Sequence, residues 1–159
     1  MNRSLRIQSN SAQDTQELGR IIGRYAQPGD VYLLTGPLGS GKTCLAQGIG
    51  RGLCVQEDLR SPTFVLMTRR QGRLTLHHLD LYRIDNPWEV WDLGVDEQLF
   101  GEGDCVVEWA DRVPELFTGD HLSVHMERRS DTTRRLTISS SGPDYREVLS
   151  ALRAALTGH

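Results

Sequence analysis

Lysine is almost missing from this sequence. Of its 18 lysine and arginine residues, all but one are arginine, and the exception is Lys42. Coding bias explains a general excess of arginine, but it does not explain the position of the one lysine that remains. A compact ammonium performs tasks that a planar guanidinium cannot, so we infer that residue 42 lies at a site where that difference matters.

Cysteine is scarce, and long apolar runs are absent. The three cysteines, Cys44, Cys54 and Cys105, are too few and too odd in number for a disulfide framework. None of them pairs as Cys-x-x-Cys, which argues against a zinc site. No apolar segment approaches the roughly 20 residues that cross a bilayer, and no signal peptide follows the charged N-terminus. We therefore expect a cytoplasmic protein with reduced cysteines.

A strong positive charge is also lacking. The net charge is −3 at pH 7, whereas autonomous binding to a long nucleic acid requires several clustered cations. The one basic cluster, formed by Arg128, Arg129, Arg134 and Arg135, is interpreted as a solvated hairpin. Because the composition is ordinary and the sequence contains no linker or repeat, we expect a single domain over residues 1–159.

The sequence does contain a clear alternation of helical and strand patterns. After a predicted N-cap at Ser11, apolar residues recur at helical spacing over 12–26, and an apolar strand over 31–35 precedes a helix from 42 to 54. Further strands are predicted at 5–8, 64–70, 74–80, 105–109, 121–127 and 134–139, with helices after Asn86 and over 145–156. This order predicts a three-layer α/β domain whose mixed sheet is parallel in the centre and antiparallel in its edge hairpins.

A glycine-rich loop joins the strand at 31–35 to the helix that follows it. The segment Gly36-Pro37-Leu38-Gly39-Ser40-Gly41-Lys42-Thr43 matches the phosphate-binding pattern Gly-x4-Gly-Lys-[Ser/Thr] at every position. Its glycines let backbone N–H groups turn toward phosphate oxygens, and the helix adds the positive end of its dipole. Lys42 is predicted to reach the β- and γ-phosphates, the Thr43 hydroxyl to ligate Mg²⁺, and Cys44 to lie beside the phosphates. The sequence thus predicts a P-loop NTPase fold with ATP and Mg²⁺ as ligands.

Two carboxylates at predicted strand ends are candidates for the metal site. Glu108 follows the apolar Cys-Val-Val run, and Asp80 follows the predicted strand before it. We assign Glu108 to the metal shell and place Asp80 near the γ-phosphate, where it would organise the metal or the attacking water; which of the two contacts Mg²⁺ directly stays open. Thr63 is a candidate sensor of the γ-phosphate, and the alternative is that Pro62 simply makes a turn there.

Histidines and tryptophans near these motifs have simpler interpretations. His77 and His78 are adjacent, so in a strand they face opposite sides and do not easily share a metal. Both are interpreted as packing or surface residues. Trp88 and Trp91 are interpreted as core residues, with a patch for a partner as the alternative, whereas Trp109 is expected near the nucleotide because it follows Glu108.

Several other classes of P-loop protein are excluded. Guanine-specific GTPases read the base with Asn-Lys-x-Asp, and this sequence has no lysine outside the loop. The Leu-Ser-Gly-Gly-Gln signature of ABC-type ATPases is absent as well. The chain is also too short for an AAA-type module with its helical lid.

Taken together, the motifs resemble the TsaE (YjeE-type) ATPases of bacteria over about residues 11–140. The resemblance is carried, in order and spacing, by the loop at 36–43 and by Ser61-Pro62-Thr63-Phe64, His78-Leu79-Asp80-Leu81-Tyr82-Arg83, Asn86-Pro87-Trp88-Glu89 with Leu93-Gly94, and Val107-Glu108-Trp109-Ala110-Asp111-Arg112. It implies ATP binding and slow hydrolysis in support of the TsaB–TsaD pair, which makes N6-threonylcarbamoyladenosine at position 37 of tRNAs that read codons beginning with A. Contact with tRNA would then be indirect, through that complex.

The resemblance also implies residue roles. It makes Lys42 and Thr43 ligands of phosphate and metal, Thr63 a switch residue, and Asp80 and Glu108 essential acids, with Glu108 as a Mg²⁺ ligand. It places Trp109 beside the site, Arg134 on the nucleotide and the segment around Ser11 near the adenine. Pro37 and Cys44 depart from the residues common in the family, but neither position must supply a side chain to phosphate, so binding is expected to persist.

Two other functions remain open at this point. A small-molecule kinase would use the same loop, with the hairpin at 128–135 as its only lid-like cluster of arginines. A nucleotide-sensing module would bind ATP without meaningful hydrolysis, and ATP would only order the loop around Thr63.

Overall fold

A mixed β-sheet organises the computed structural model, which describes residues 3–56, 67–86, 88–89, 103–114, 117, 119–142 and 145–157. The elements of the described part are β1 (Arg3–Ser9), α1 (Ala12–Arg24), β2 (Val31–Thr35), α2 (Lys42–Gly52), β3 (Met67–Gln71), β4 (Thr75–Asp80), β5 (Asp104–Glu108), a 3₁₀ turn (Ala110–Arg112), β6 (His121–Arg128), β7 (Arg134–Ser141) and α3 (Arg146–Thr157). No helix in this part of the chain is long and apolar enough to span a membrane.

The strand order across the sheet is β1-β7-β6-β2-β5-β4-β3. The four central strands β6, β2, β5 and β4 run parallel. The outer pairs β1–β7, β7–β6 and β4–β3 are antiparallel. This confirms the predicted α/β fold with a mixed, centrally parallel sheet. Because parallel strands end at the same edge of a sheet, the loop after β2 and the acids that end β4 and β5 meet at that edge.

The two faces of the sheet are covered differently. Side chains alternate along each strand, so Leu34 packs with α1, α2 and α3 in one cluster while Leu33 belongs to a second cluster on the opposite face. In the described part of the chain, that opposite face is covered by the 3₁₀ turn and by loop residues such as Leu81, Ile84 and Val113.

Helices α1 and α2 approach each other through four glycines. A methyl group at Gly19, Gly23, Gly48 or Gly52 would lie 2.2–2.4 Å from a carbonyl oxygen of the other helix. Contacts this short are not available to a Cβ atom, so only glycine permits the observed packing. This seam was not predicted from the sequence, and it holds the helix after the glycine-rich loop against α1.

Several predicted boundaries shift by one or two residues. The Ser11 N-cap is confirmed, because its side chain accepts a hydrogen bond from the Asp14 amide, but α1 ends at Arg24. The strand predicted over 105–109 ends one residue earlier, since Trp109 adopts a left-handed backbone with φ 59°. Asn86 caps the next turn by accepting a hydrogen bond from the Trp88 amide at 3.1 Å. Residues 57–66, 87 and 90–102 lie outside the described residues, and with them the start of the strand predicted at 64–70.

Candidate nucleotide-binding site

The loop between β2 and α2 has the backbone of a phosphate cradle. Gly36, Gly39 and Gly41 have φ values of 136°, 81° and 103°, a region that favours glycine. A Cβ atom on Gly36 would also lie 2.3 Å from the carbonyl oxygen of Met126. Gly41 is the N-cap of α2 and, as a glycine, supplies no capping side chain. A glycine-rich loop at a helix N-terminus is the arrangement with which other proteins bind phosphate through backbone N–H groups.

The Lys42 ammonium lies inside this loop. It donates hydrogen bonds to the carbonyl oxygens of Gly36 and Pro37 at 2.6 and 3.0 Å, and to the Ser40 hydroxyl at 3.3 Å. Its nitrogen also lies 3.9 Å from the centroid of the Trp109 ring, a cation–π contact. The residue is 5% exposed. Burial lowers the pKa of Lys42, and the nearby negative charge of Glu108 opposes this shift.

Trp109 reaches the lysine because the chain reverses directly after β5. Its left-handed backbone ends the strand and starts the 3₁₀ turn, an unfavourable conformation for a bulky side chain. The ring also packs against Tyr82, with 4.8 Å between centroids, and the Arg112 guanidinium lies 5.6 Å from the Tyr82 ring. Strained backbone conformations of this kind are concentrated at functional sites, and here the strain places an aromatic face on Lys42.

Thr43 and Glu108 are joined directly. The Thr43 hydroxyl donates a hydrogen bond to Oε1 of Glu108 at 2.8 Å. The other carboxylate oxygen, Oε2, lies 2.6 Å from Nε2 of His78. Asp80 is the neighbour of Glu108 in the β4–β5 register, and its Oδ1 accepts a hydrogen bond from the Tyr82 amide at 3.0 Å. Burial raises the pKa of Asp80.

The chemistry of these donors fits Mg²⁺. Thr43, Glu108 and Asp80 offer hydroxyl and carboxylate oxygens, the ligands that this ion prefers. No cluster of three or more His, Cys, Asp or Glu side chains in the described part of the chain could hold a metal unaided. Mg²⁺ in nucleotide sites takes its remaining ligands from phosphate and water, so this arrangement suits a metal that arrives with a nucleotide.

Three further predicted site residues surround the loop. Arg134 lies near Gly41, because a Cβ on that glycine would be 3.8 Å from its Nε. Its Nη1 donates to the carbonyl oxygens of Ser130 and Thr133. Cys44 donates from Sγ to the Ala12 carbonyl at 3.4 Å, and burial raises the pKa of this thiol. That contact brings the start of α1, with Ser11 at its cap, beside the first turn of α2.

The structure tests only some of the remaining predicted residues. Thr63 and Trp91 lie outside the described residues. Leu38, at the tip of the loop, and Trp88 are exposed, so the interpretation of Trp88 as a core residue is wrong.

His78 is a site residue that the sequence analysis missed. It is fully buried, as a packing residue would be, but its ring contacts Glu108. The available signal was its position two residues before Asp80 in a strand, which puts both side chains on one face. His77 lies on the opposite face, and burial, followed by the charge of Arg69, lowers its pKa.

The far end of β5 carries a second buried acid, Asp104. Its Oδ1 accepts a hydrogen bond from the Asp30 amide at 3.1 Å, while its Oδ2 has no hydrogen-bond partner among the described residues. Asp30 is itself held by the Tyr32 hydroxyl at 3.0 Å and the Gln27 amide at 2.9 Å. Burial, and then the negative charge of Asp30, raise the pKa of Asp104 to about 7.

Comparisons with known proteins agree with one another. A family model described as threonylcarbamoyl adenosine biosynthesis protein TsaE matches residues 9–136. The chain is 38% identical over 135 residues to the tRNA threonylcarbamoyladenosine biosynthesis protein TsaE of Treponema pallidum, which covers 85% of this chain and 100% of the relative. It is 34% identical over 144 residues to the Bacillus subtilis protein of the same name, with 90% of each chain covered. The crystal structure of Bacillus subtilis YdiB matches with a TM-score of 0.81 and 30% identity, covering 98% of this chain and 97% of that chain.

Proposed function

The chain belongs to the TsaE family of threonylcarbamoyl adenosine biosynthesis proteins, and we propose that it acts there as a slow Mg²⁺-dependent ATPase. ATP would bind on the loop at 36–43. Its hydrolysis would support a TsaB–TsaD-type complex that makes N6-threonylcarbamoyladenosine at position 37 of tRNAs reading codons that begin with A. The observation that carries the proposal is the arrangement at the start of α2, where the Lys42 ammonium lies inside the loop and Thr43 is hydrogen-bonded to Glu108.

Lys42 and the loop backbone would hold the phosphates. In the described structure the ammonium is bonded to the Gly36 and Pro37 carbonyls, weaker acceptors than a charged phosphate oxygen. A β- or γ-phosphate would therefore draw the ammonium toward itself, while N–H groups of the loop and of the first turn of α2 bind the remaining oxygens. Trp109 would keep the ammonium at the loop by covering one side of it.

Thr43 and Glu108 would hold the metal, with Asp80 beside them. Mg²⁺ bound at this site would neutralise charge on the β- and γ-phosphate oxygens. The Thr43 hydroxyl donates a hydrogen bond to Glu108, which places the two oxygens side by side where one cation would meet both. Asp80 lies next to Glu108 across the strands and would orient the attacking water or a water in the metal shell. Thr63 would sense the γ-phosphate.

Low basal turnover is part of the proposal. Arg134 is near Gly41, but its Nη1 is engaged by the backbone carbonyls of Ser130 and Thr133. An arginine that stabilises the transition state must instead point at the transferred phosphoryl group. We therefore propose that a protein partner gates or stimulates hydrolysis, that tRNA is met through that partner, and that the protein acts in the cytoplasm where tRNA is modified.

The proposal is tested by two linked measurements. Calorimetry with ATP and Mg²⁺ should give binding that Lys42→Ala abolishes, and a deletion strain should lose N6-threonylcarbamoyladenosine from its tRNA. Normal levels of the modified base in that strain would refute the pathway assignment. Robust ATP-dependent phosphorylation of a nucleoside, a nucleotide or a shikimate-like alcohol would instead indicate a kinase. If Glu108→Ala binds ATP and supports modification in full, the protein is a sensor of ATP without a need for hydrolysis.

A further inference from the structure

Two side chains contact the Glu108 carboxylate. Thr43 contacts one of its oxygens, and His78 contacts the other. The histidine side chain is 0% exposed and that of Glu108 is 2% exposed, so water does not compete for their contact. The two side chains belong to neighbouring parallel strands, β4 and β5, and both lie on the face of the sheet that carries α2. Their contact of 2.6 Å is the shortest that Glu108 makes among the described residues.

The direction of both hydrogen bonds follows from their chemistry. An ionised carboxylate only accepts hydrogen bonds, and Oε1 already accepts one from the Thr43 hydroxyl. The proton between Oε2 and His78 therefore belongs to Nε2, which donates. The other ring nitrogen, Nδ1, is buried and has no partner in the described part of the chain. Holding Oε2 is thus the one polar contact described for this ring.

A glutamate carboxylate requires a second contact to fix its orientation, because rotation about its terminal torsion, χ3, is weakly restricted. The terminal torsion of glutamate is broad, with no narrow rotamer wells, and one hydrogen bond from Thr43 leaves the group free to pivot about that contact. A second donor on the other oxygen removes this freedom. In metal sites generally, side chains that orient a ligand from behind strongly affect metal affinity.

We propose that His78 is a positioning residue for the metal site, which fixes the Glu108 carboxylate so that Oε1 stays on the side of Thr43. The inference rests on the proposed function, because Oε1 of Glu108 requires a fixed position only if the site binds Mg²⁺. His78 touches neither nucleotide nor metal in this role. It acts through Glu108, and the same contact keeps β4, with Asp80 at its end, aligned on β5.

The test compares magnesium dependence with magnesium-free nucleotide binding in full-length variants. We expect His78→Leu to raise the Mg²⁺ concentration that half-saturates tight ADP binding by roughly 10-fold or more, in line with other residues behind metal ligands. Binding of ADP in excess EDTA should change little, since Lys42 and the loop amides carry it. A purely structural role would weaken both kinds of binding together or neither.

Two conservative variants make the outcome specific. His78→Gln places an amide N–H near the position of Nε2, so it should restore magnesium dependence to within about threefold of the original. His78→Asn places its amide near Nδ1 instead and should behave like His78→Leu. His77→Gln and His77→Leu are matched controls, because His77 is also buried, at the neighbouring position, but faces the other side of the sheet. Both should leave the magnesium curve unchanged.

The possible failures are distinguishable. If the unaltered protein shows no nucleotide binding with or without magnesium, the proposed function falls, and this inference falls with it. If the unaltered protein binds Mg·ADP and His78→Leu follows the same magnesium curve, only the inference is overturned. Equal behaviour of His78→Gln and His78→Asn would also overturn it, even if thermal unfolding shows that His78→Leu fails to fold.

Discussion

Strand β5 has a buried acid at each end, and the residues that surround the two acids differ. Glu108, the last residue, accepts hydrogen bonds from Thr43 and His78. Asp104, the first residue, lies against a second acid, Asp30, and one of its oxygens has no partner among the described residues. Burial of a carboxylate therefore does not by itself identify a functional site. The neighbours differ instead: Glu108 receives hydrogen bonds from two side chains, whereas burial and the charge of Asp30 raise the pKa of Asp104 to about 7.

The two ends are far enough apart to be tested separately. Four residue steps along a strand span about 13 Å, and substitutions at such distances usually act additively. Changes at the Glu108 end should therefore affect ligand binding, whereas changes at the Asp104 end should affect only stability and its dependence on pH.

The largest expected effect is at the loop that faces the Glu108 end. Lys42→Ala removes a cation that would make at least two charge-assisted hydrogen bonds to phosphate, each contributing about 1.5–3 kcal/mol. We expect ATP affinity to fall by about 100-fold or more in calorimetry. Lys42→Arg should also bind poorly, because the planar guanidinium does not fit among the Gly36 and Pro37 carbonyls. Wild-type affinity in Lys42→Arg would show that the lone lysine is not required.

The next effect concerns Glu108 itself. Glu108→Gln keeps the shape of the side chain but replaces one carboxylate oxygen with an NH2 donor, so it no longer presents an acceptor at both positions that Thr43 and His78 contact. We expect magnesium-dependent ATP hydrolysis to fall by about 10- to 100-fold. A malachite-green assay of released phosphate across a magnesium titration measures this loss. If Glu108→Gln hydrolyses ATP at the original rate while Asp80→Asn is strongly impaired, the proposed roles of the two acids are reversed.

A moderate effect is expected at the other end of β5, in the pH dependence of stability. The pKa of Asp104 is about 7 in the folded chain against an ordinary value of 3.8, so the folded state holds this proton more tightly than the unfolded state. The free energy of unfolding should therefore decrease as pH rises from about 4 to 7, by up to about 1.4 kcal/mol per pH unit, and level off above that.

Asp104→Asn is the variant that isolates this contribution. It keeps an oxygen for the Asp30 amide and cannot ionise, so urea unfolding between pH 4 and 8 should lose the slope assigned to Asp104. ATP affinity is the control and should not change. A slope that survives the substitution would show that another group is responsible.

The smallest effect is expected from Asp30→Asn. Removing the Asp30 charge takes away the second cause of the raised pKa of Asp104 and leaves burial, the first cause, in place. The pH window of the stability change should therefore move to slightly lower pH without disappearing. The same unfolding series would detect this, and a slope identical to that of the unaltered protein would mean that the two acids do not interact.

The sequence predicts several features at the Glu108 end of β5 and none of those at the Asp104 end. The loop around Lys42 and the strand-end position of Glu108 are local patterns, and both were predicted. The contact between His78 and Glu108 was not, because it joins residues 30 positions apart and depends on the register of β4 against β5. Adjacent histidines reveal that they face opposite sides, but not which neighbour each side meets.

The acid pair Asp30–Asp104 was missed for a related reason. Each residue reads as an ordinary polar residue before an apolar strand, a place where acids are usually solvated. Only the pairing of β2 with β5 brings them together, 74 positions apart in sequence. Likewise, the left-handed backbone of Trp109 has no signature in the residue type, because bulky side chains disfavour it, and this one residue shortened the predicted strand.

The glycine seam between α1 and α2 links the candidate nucleotide site to residues in the interior of the protein, because α2 begins at Lys42. A methyl group at Gly48 would act as a wedge against the Gln16 carbonyl, tilting the helix whose first residue is Lys42. Gly52 lies about 15 Å from the start of that helix, yet it is under the same steric limit. Substitutions at these glycines would thus be expected to lower the melting temperature and, on the proposed function, the affinity for nucleotide as well.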